Sequence, residues 1–220
     1  DGRNAYPSPK TVAEETGLIV PLGERVLEIA CRQRRECFEG GHHTGIVAVN
    51  VSALQFREAQ FVDTVRRVLK ETGLPPPLLE LEVTESVLMH GPDTVAATLN
   101  ELAALGVGLA IDDFGTGYSS LAYLKHFPVR RLKIDQSFVR EMARDSNSGA
   151  IVEAIIALGR VLRMAVVAEG VETRQQLEVL RGFGCDDVQG YLVARPLPLD
   201  ELLVLLRNWQ AVAPTVQQLH

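Results

Sequence analysis

Side chains able to do chemistry fall at the ends of six predicted strands along this chain. They are Asn50, Glu82, the adjacent Asp112 and Asp113, Lys133 with Asp135, Glu169, and Gln189. The parallel strands of a (β/α) barrel bring their carboxyl ends to one face, where such barrels build their sites. Two adjacent aspartates alone are equally well explained by a solvated turn or a helix cap. Six successive strand ends with polar groups favour one shared site.

The residue types in this set indicate metal-dependent chemistry on a phosphodiester. The first four residues, from Asn50 to Asp113, offer only oxygen ligands, which suit Mg²⁺ or Mn²⁺ and not a structural zinc. Two such ions close together clamp a phosphodiester, polarise it and make a nucleophile of a bound water. Lys133 would then stabilise the charge that develops on phosphate or hydroxide. Glu169 would take a proton or add a ligand.

The elements that must position these side chains alternate between strand and helix. Apolar runs bounded by turn residues predict strands at Ile46–Val51, Leu78–Val83, from Val107 to the two aspartates, Arg131–Ile134, Ala165–Ala168 and around Val188. Between them we predict helices, one with Asp93 as its N-cap and one that Thr173 and Gln176 start as a capping box. The alternation predicts a parallel α/β sheet. The polar strand ends favour a barrel, although a doubly wound sheet also places ligands at strand ends.

Composition and charge predict a single globular domain over residues 1–220. Hydrophobic residues make up 46% and charged residues 23% of the chain, which is ordinary for a globular protein with one sizeable core. The net charge of −6 and the absence of a long basic run argue against binding to a nucleic-acid polymer. No long uncharged apolar run occurs, so we expect no membrane contact by this domain. The three cysteines make no disulfide framework and fit the cytoplasm.

Six strings of the sequence together resemble a known family. They are VAVNVS (47–52), ELEVTES (80–86), AIDDFGTGYSSL (110–121), RLKIDQSFV (131–139), VVAEGVET (166–173) and DDVQGYLVARPLP (186–198). In order and spacing they resemble the signature set of EAL domains, the cyclic di-GMP phosphodiesterases of bacteria. The resemblance spans nearly the whole chain. It implies a (β/α)8-type, TIM-like barrel that hydrolyses cyclic di-GMP to linear pGpG with two Mg²⁺ or Mn²⁺ ions, in second-messenger signalling.

The resemblance also implies a role for each matching residue. Asn50, Glu82, Asp112 and Asp113 would be metal ligands, Lys133 would steady the attacking water and the phosphate, and Glu169 would be a ligand or base. Asp135, Glu172 and Gln189 would be supporting polar groups near the metals.

Glu85 would anchor the loop that begins with Phe114, Gly115, Thr116 and Gly117 and runs to Ser120. In the family this loop shapes the second metal position and lies beside the contact of a homodimer, so we also expect a homodimer. Without the resemblance, a negative charge favoured at a helix N-terminus would be the preferred explanation of Glu85.

One part of the family pattern does not occur in this sequence. The family's barrel begins with a strand resembling YQP and a strand that carries the EAL signature glutamate and a nearby arginine, and neither string is present. We therefore expect an N-terminally incomplete barrel that lacks its first two strands.

Three explanations of the missing strands stay open: an omitted N-terminal part, strands supplied by a partner chain, or a truncated inactive relative. We favour the first because the other site positions are intact. The alternative function is a catalytically inactive EAL-like module that binds cyclic di-GMP or a protein partner. We also expect an upstream sensory or regulatory domain.

Overall fold

The computed structural model describes residues 8–41, 45–88, 91–117, 124–142 and 145–217. The strands are β1 (Val47–Val51), β2 (Leu79–Thr84), β3 (Gly108–Phe114), β4 (Arg131–Ile134), β5 (Ala165–Ala168) and β6 (Asp187–Val188). The helices are α1 (Pro9–Glu15), α2 (Ile19–Glu39), α3 (Ala53–Arg57), α4 (Phe61–Thr72), α5 (Glu85–Leu88), α6 (Pro92–Ala104), α7 (Gln136–Glu141), α8 (Ser146–Leu162), α9 (Arg174–Phe183) and α10 (Leu199–Gln217). A 3-10 turn at Pro76–Leu78 precedes β2.

The strands form one six-stranded sheet in the order β1-β2-β3-β4-β5-β6. Every neighbouring pair is parallel. A doubly wound sheet reverses its strand order at a switch point, and the described strands show no reversal. Consecutive order is the arrangement of a barrel wall. The prediction of a parallel α/β fold of the barrel type is confirmed.

Alternation along the strands separates the apolar core from a charged face. The core positions of β2 and β4 are Leu79, Leu81, Val83, Leu132 and Ile134. The positions between them are Glu80, Glu82, Arg131 and Lys133. Because successive side chains of a strand point to opposite faces, one face packs under the helices and the other collects charge. We refer to the second as the charged face of the sheet.

Helices cover the apolar face of the sheet. The long helix α2 packs on β1 and α4, α6 packs on β3, and α8 packs on β4 and β5. Among the helices in the described ranges, none combines the length and the apolar character that a membrane crossing requires.

The starts of two helices show how well local signals predict their bounds. The predicted capping box of Thr173 and Gln176 is present at the start of α9, so that prediction is confirmed. The prediction that Asp93 is an N-cap is wrong, because α6 begins at Pro92 with Gly91 in the N-cap position. Proline is favoured in the first turn of a helix, where its missing N–H costs no hydrogen bond. The helix therefore starts ahead of Asp93.

Candidate active site

Lys133 on β4 lies at the centre of a cluster of carboxylates. Its Nζ is 2.7 Å from Glu82 Oε2, 3.2 Å from Asp112 Oδ1 and 2.6 Å from Glu169 Oε1. The lysine side chain is only 5% exposed, so bulk water screens these ion pairs weakly. The acids come from β2, from β3 and from the residue after β5. We call these four residues the Lys133 cluster.

A bulge in β3 brings two consecutive aspartates to this cluster. The register between β3 and β4 shifts after Ile111, so that Asp112 and Asp113 together stand opposite Lys133. Consecutive side chains of a regular strand point to opposite faces, and the extra residue of a bulge re-aims one of them. Asp113 has a φ of 53°, in the left-handed region that aspartate tolerates better than most residues. The bulge thus lets both carboxylates serve one site.

Asp112, Asp113 and Glu169 form a group of acids suited to a cation. One carboxylate oxygen from each lies within 4.8 Å of the other two. Asp112 Oδ1 is buried and accepts no hydrogen bond within the described part of the chain. Its contact with Lys133 Nζ at 3.2 Å is therefore electrostatic only. A buried oxygen without a donor is costly and is the kind of ligand that Mg²⁺ or Mn²⁺ prefers, so the residues present fit the predicted metal.

Burial and crowding shift the protonation equilibria of the site. Desolvation raises the pKa of Glu82 and that of Glu169, and Lys133 offsets only part of this effect. Desolvation and the neighbouring Asp112 raise the pKa of Asp113. Burial alone would lower the pKa of Lys133, but its hydrogen bonds to Glu169 and Glu82 raise it above the ordinary value. The site therefore contains one protonated lysine among several acids, and this single positive charge does not compensate all of them.

Asn50 lies beside the Lys133 cluster. It is in register with Glu82 on the neighbouring strand, and its side chain is exposed. Residues paired in this way share a face of the sheet, so Asn50 is on the charged face. Neither Asn50 nor Glu82 belongs to the group of acids formed by Asp112, Asp113 and Glu169.

Glu85, at the start of α5, lies against the loop that follows β3. Its Oε2 accepts hydrogen bonds from the backbone N–H groups of Gly115 at 3.0 Å and Gly117 at 3.3 Å. A Cβ on Gly117 would lie 2.8 Å from Glu85 Oε1, so any larger residue at this position would force the Glu85 carboxylate to move. Thr116 Oγ1 donates to the backbone oxygen of Asp113 at 2.8 Å. These contacts connect the loop both to Glu85 and to the bulge.

The other side of the loop packs on two helices. A Cβ on Gly115 would lie 3.1 Å from Phe138 of α7 and from Ile155 of α8, and Gly115 has a φ of 99°. Phe114 is buried in the core. The rest of the predicted loop, residues 118–120, lies outside the described residues.

Three further predicted residues lie around the edge of the site. Asp135 follows β4 and caps α7 with its side chain. Glu172 is exposed, and its backbone N–H donates to Gln176 Oε1 at 2.8 Å. Gln189 is exposed and follows β6, and its backbone N–H donates to the last carbonyl of β5 at 2.8 Å. In the described ranges, neither Asp135 nor Glu172 forms an ion pair with Lys133.

Gln176 joins the segments that follow β4 and β5. Its Oε1 accepts from the N–H groups of Glu172 at 2.8 Å and Thr173 at 2.9 Å, and its Nε2 donates to Val139 O of α7 at 3.1 Å. Gln176 is 6% exposed. The capping-box pattern predicts the first contacts, but it contains no signal for the link to α7. Sequence reasoning therefore missed this support of the site.

Comparison with known proteins gives consistent matches along the chain. The family model described as EAL domain matches residues 10–196. The chain is 54% identical over 192 residues to the bifunctional diguanylate cyclase/cyclic di-GMP phosphodiesterase MucR of Pseudomonas aeruginosa, covering 87% of this chain and 28% of MucR. It is 47% identical over 210 residues to the cyclic di-GMP phosphodiesterase NbdA of the same organism, covering 95% of this chain and 27% of NbdA.

A solved structure of the PaMucR phosphodiesterase in a c-di-GMP complex matches with a TM-score of 0.86 at 51% identity. The match covers 92% of this chain and 83% of that chain. The chain spans less than a third of the length of the two curated relatives.

Proposed function

The chain belongs to the EAL domain family, and on that premise we propose that it hydrolyses cyclic di-GMP to linear pGpG in bacterial second-messenger signalling. Water adds to one phosphorus atom, and the bond from that phosphorus to a ribose 3′ oxygen breaks. The water gives up a proton, the 3′ oxygen gains one, and a 5′ phosphate remains on the product.

The observation that supports the proposal is the excess of carboxylates over cationic side chains in the site. Three carboxylates lie within 3.2 Å of the single Lys133 ammonium, and Asp113 adds a fourth to the same group. Asp112 Oδ1 is buried without a hydrogen bond from any described residue. A buried excess of negative charge is stable only when protons or cations compensate it. The site is thus suited to divalent ions and, with them, to a phosphodiester.

We propose Mg²⁺ or Mn²⁺, two ions in all, as the cofactor. The oxygen ligands would come from Asn50, Glu82, Asp112, Asp113 and Glu169. Such ions, when bound, polarise a phosphodiester and make water a stronger nucleophile.

Lys133 acts as an electrostatic stabiliser in this proposal and not as a base. Its raised pKa keeps it protonated at neutral pH, so it can donate hydrogen bonds but cannot accept a proton. Its position among the acids places a fixed positive charge beside the phosphate. A preorganised charge of this kind stabilises the negative charge that develops in the transition state.

Glu169 is proposed as the proton acceptor or as an additional ligand. Desolvation raises its pKa above the ordinary value, which makes a carboxylate a better proton acceptor. Lys133 holds its Oε1 at 2.6 Å, so the proposal assigns the proton to Oε2.

The surrounding residues would hold these groups in place. Glu85 would fix the loop that carries Gly115 and Gly117, because it accepts from both backbone N–H groups. Asp135, Glu172 and Gln189 would support the site from the edge. We also propose that this loop lies beside the contact of a homodimer, as the family resemblance implies.

The setting of the domain is part of the proposal. The curated relatives are longer than this chain, and we propose that a sensory or regulatory domain controls its activity in the same way as in multi-domain signalling proteins. We propose a cytoplasmic location. It is supported by Cys31, Cys37 and Cys185, which are free thiols of the kind that a reducing compartment maintains.

A hydrolysis assay tests the proposal. Purified protein is incubated with cyclic di-GMP and Mg²⁺ or Mn²⁺, and the nucleotides are separated by reversed-phase chromatography. The expected product is pGpG, its formation should stop with EDTA, and excess Mn²⁺ should restore it. Unchanged turnover after thorough chelation would contradict the metal requirement. Binding of cyclic di-GMP in Ca²⁺ without hydrolysis in Mg²⁺ or Mn²⁺ would instead identify a catalytically inactive binding module.

A further inference from the structure

A second ion pair lies next to the Lys133 cluster on the charged face. Arg131 Nη1 lies 3.3 Å from Glu80 Oε1. The two residues precede Lys133 and Glu82 by two positions on the same strands, so both pairs point to one face. Glu80 is 6% exposed. The charged face thus contains two layers, with the Glu80–Arg131 pair nearer the amino ends of the strands.

Two small residues of β3 allow these pairs to form across the intervening strand. Gly108 is in register with Glu80, and Ala110 is in register with Glu82. A Cβ on Gly108 would lie 3.3 Å from Glu80 Oε2, so a large side chain there would displace the glutamate. The acids of β2 can therefore reach the cations of β4 over the backbone of β3.

Glu80 lies near two cations, Arg131 and Lys133, and only Lys133 takes part in the proposed chemistry. Alternate residues of a parallel strand are about 6.6 Å apart, a distance that the flexible stem of Lys133 can span. Removing one partner of a buried ion pair leaves a costly uncompensated charge. If Arg131 were absent, the nearest source of compensation for Glu80 would be the Lys133 ammonium. Arg131 also has a second acidic neighbour, since its Nη2 lies 3.9 Å from Asp187 Oδ2.

We propose that Arg131 is a positioning residue that neutralises Glu80 and thereby keeps the Lys133 ammonium in the Lys133 cluster. The inference deepens the proposed function and rests on it, because the ammonium acts on the phosphate only from that cluster. Without Arg131, Glu80 draws the ammonium towards the amino ends of the strands. The phosphate then loses its fixed positive charge.

The proposed role of Arg131 predicts that substitutions of Arg131 and of Glu80 affect turnover unequally. Arg131→Met leaves Glu80 without its paired cation, so kcat for cyclic di-GMP should fall about a hundredfold, as misplaced catalytic groups commonly cause, with little change in KM. Glu80→Gln removes the competing charge, so its kcat should stay close to that of the wild type. The double variant Arg131→Met with Glu80→Gln should recover kcat, and Arg131→Lys should retain it. Arg131→Gln replaces Arg131→Met if the latter does not fold.

A pair with only a structural role predicts a different pattern. Both single variants would then lose stability, and kcat per folded enzyme would not change in either. Wild-type kcat in folded Arg131→Met, or a double variant no faster than Arg131→Met, would overturn the proposal.

A crystal structure of Arg131→Met gives a readout that needs no activity. Lys133 Nζ should lie within hydrogen-bond distance of Glu80, and in the double variant it should return to Glu82 and Glu169. A lysine that stays on Glu82 and Glu169 in Arg131→Met would overturn the proposal even if turnover falls. If the wild type does not hydrolyse cyclic di-GMP, the proposed function fails, and the position of Lys133 in the variant still tests the competition with Glu80.

Discussion

The Lys133 ammonium lies 2.6 Å from Glu169 Oε1. Lys133 is in β4, and Glu169 directly follows the adjacent strand β5. The same ammonium is shared with an acid from β2 and one from β3. A buried cation that serves three acids fixes their relative positions, because each acid depends on it for compensation. Both the stability and the proposed activity of the domain should therefore respond to Lys133.

Lys133→Met should abolish most of the turnover and destabilise the protein. Loss of a preorganised charge commonly lowers kcat about a hundredfold to a thousandfold. Three acids lose their cation, which should cost about 3–5 kcal/mol of unfolding free energy in EDTA, and saturating Mn²⁺ should recover part of it. Turnover assays and chemical denaturation measure the two effects. Lys125→Met, at an exposed position, is the matched control, and equal behaviour of the two variants would contradict the central role of Lys133.

Glu85→Ala should loosen the loop after β3. The variant removes the carboxylate that accepts from the Gly115 and Gly117 N–H groups, and a hydrogen bond to a charged group contributes about 1.5–3 kcal/mol. Hydrogen exchange should become faster at both amides, and turnover should fall. Glu101→Ala on the exposed side of α6 is the control. Unchanged exchange at Gly115 and Gly117 would show that Glu85 does not hold the loop.

Two glycine substitutions should change stability in opposite directions. A Cβ at position 117 would lie 2.8 Å from the buried Glu85 carboxylate, so Gly117→Ala should destabilise by about 1–3 kcal/mol, as overpacking does. Gly182 lies in α9 with no atom within 4 Å of a Cβ placed there, so Gly182→Ala should stabilise by up to about 1 kcal/mol. Thermal unfolding of both variants measures the two changes in stability. Two changes of the same sign would contradict the prediction.

The raised pKa values of Glu82, Asp113 and Glu169 predict a pH dependence of stability in EDTA. A group whose pKa is higher in the folded state binds protons more tightly when the protein is folded. Its contribution to the unfolding free energy is therefore present at low pH and is lost as pH rises through the folded pKa. For Glu82 this loss should begin near the ordinary value of 4.5 and extend upward. The unfolding free energy of the wild type, minus that of Glu82→Gln, should therefore decrease with rising pH. A difference that increases with pH would contradict the prediction.

Metal binding should show the complementary pH dependence. A divalent ion needs the deprotonated acids, so the affinity for Mn²⁺ should rise with pH across the range in which these raised pKa values lie. Binding should also release protons. Calorimetry in two buffers of different ionisation enthalpy measures that release, and proton uptake on binding would contradict it.

The strands were predictable wherever an apolar run is bounded by turn residues. Strands β4 and β5 have the predicted bounds, and β1 and β2 differ from prediction by one residue at their ends. Strand β6 has only two residues, Asp187 and Val188, too few for a periodic pattern. Its neighbours in the sheet determine it more than its own sequence does.

The composition of the site was easier to predict than its geometry. The strand-end pattern named the residues that the Lys133 cluster contains. It did not predict the bulge, although Asp113, which has a φ of 53° there, is of a residue type that tolerates the left-handed region. The Glu80–Arg131 pair was missed for a different reason. A charged residue inside a strand suggests a solvent-facing position, although the two-residue spacing from Glu82 and Lys133 was the available signal for a shared face.

Turnover by the Asp112→Asn variant shows whether the Lys133 cluster hydrolyses cyclic di-GMP, as we propose. Asp112 contributes a buried oxygen, Oδ1, to which no described residue donates a hydrogen bond. The variant should lose at least about a thousandfold in kcat, because several kcal/mol of charge stabilisation depend on this carboxylate. Asp63→Asn, at a side chain that is 73% exposed, should keep wild-type turnover. Wild-type formation of pGpG by folded Asp112→Asn would contradict the claim.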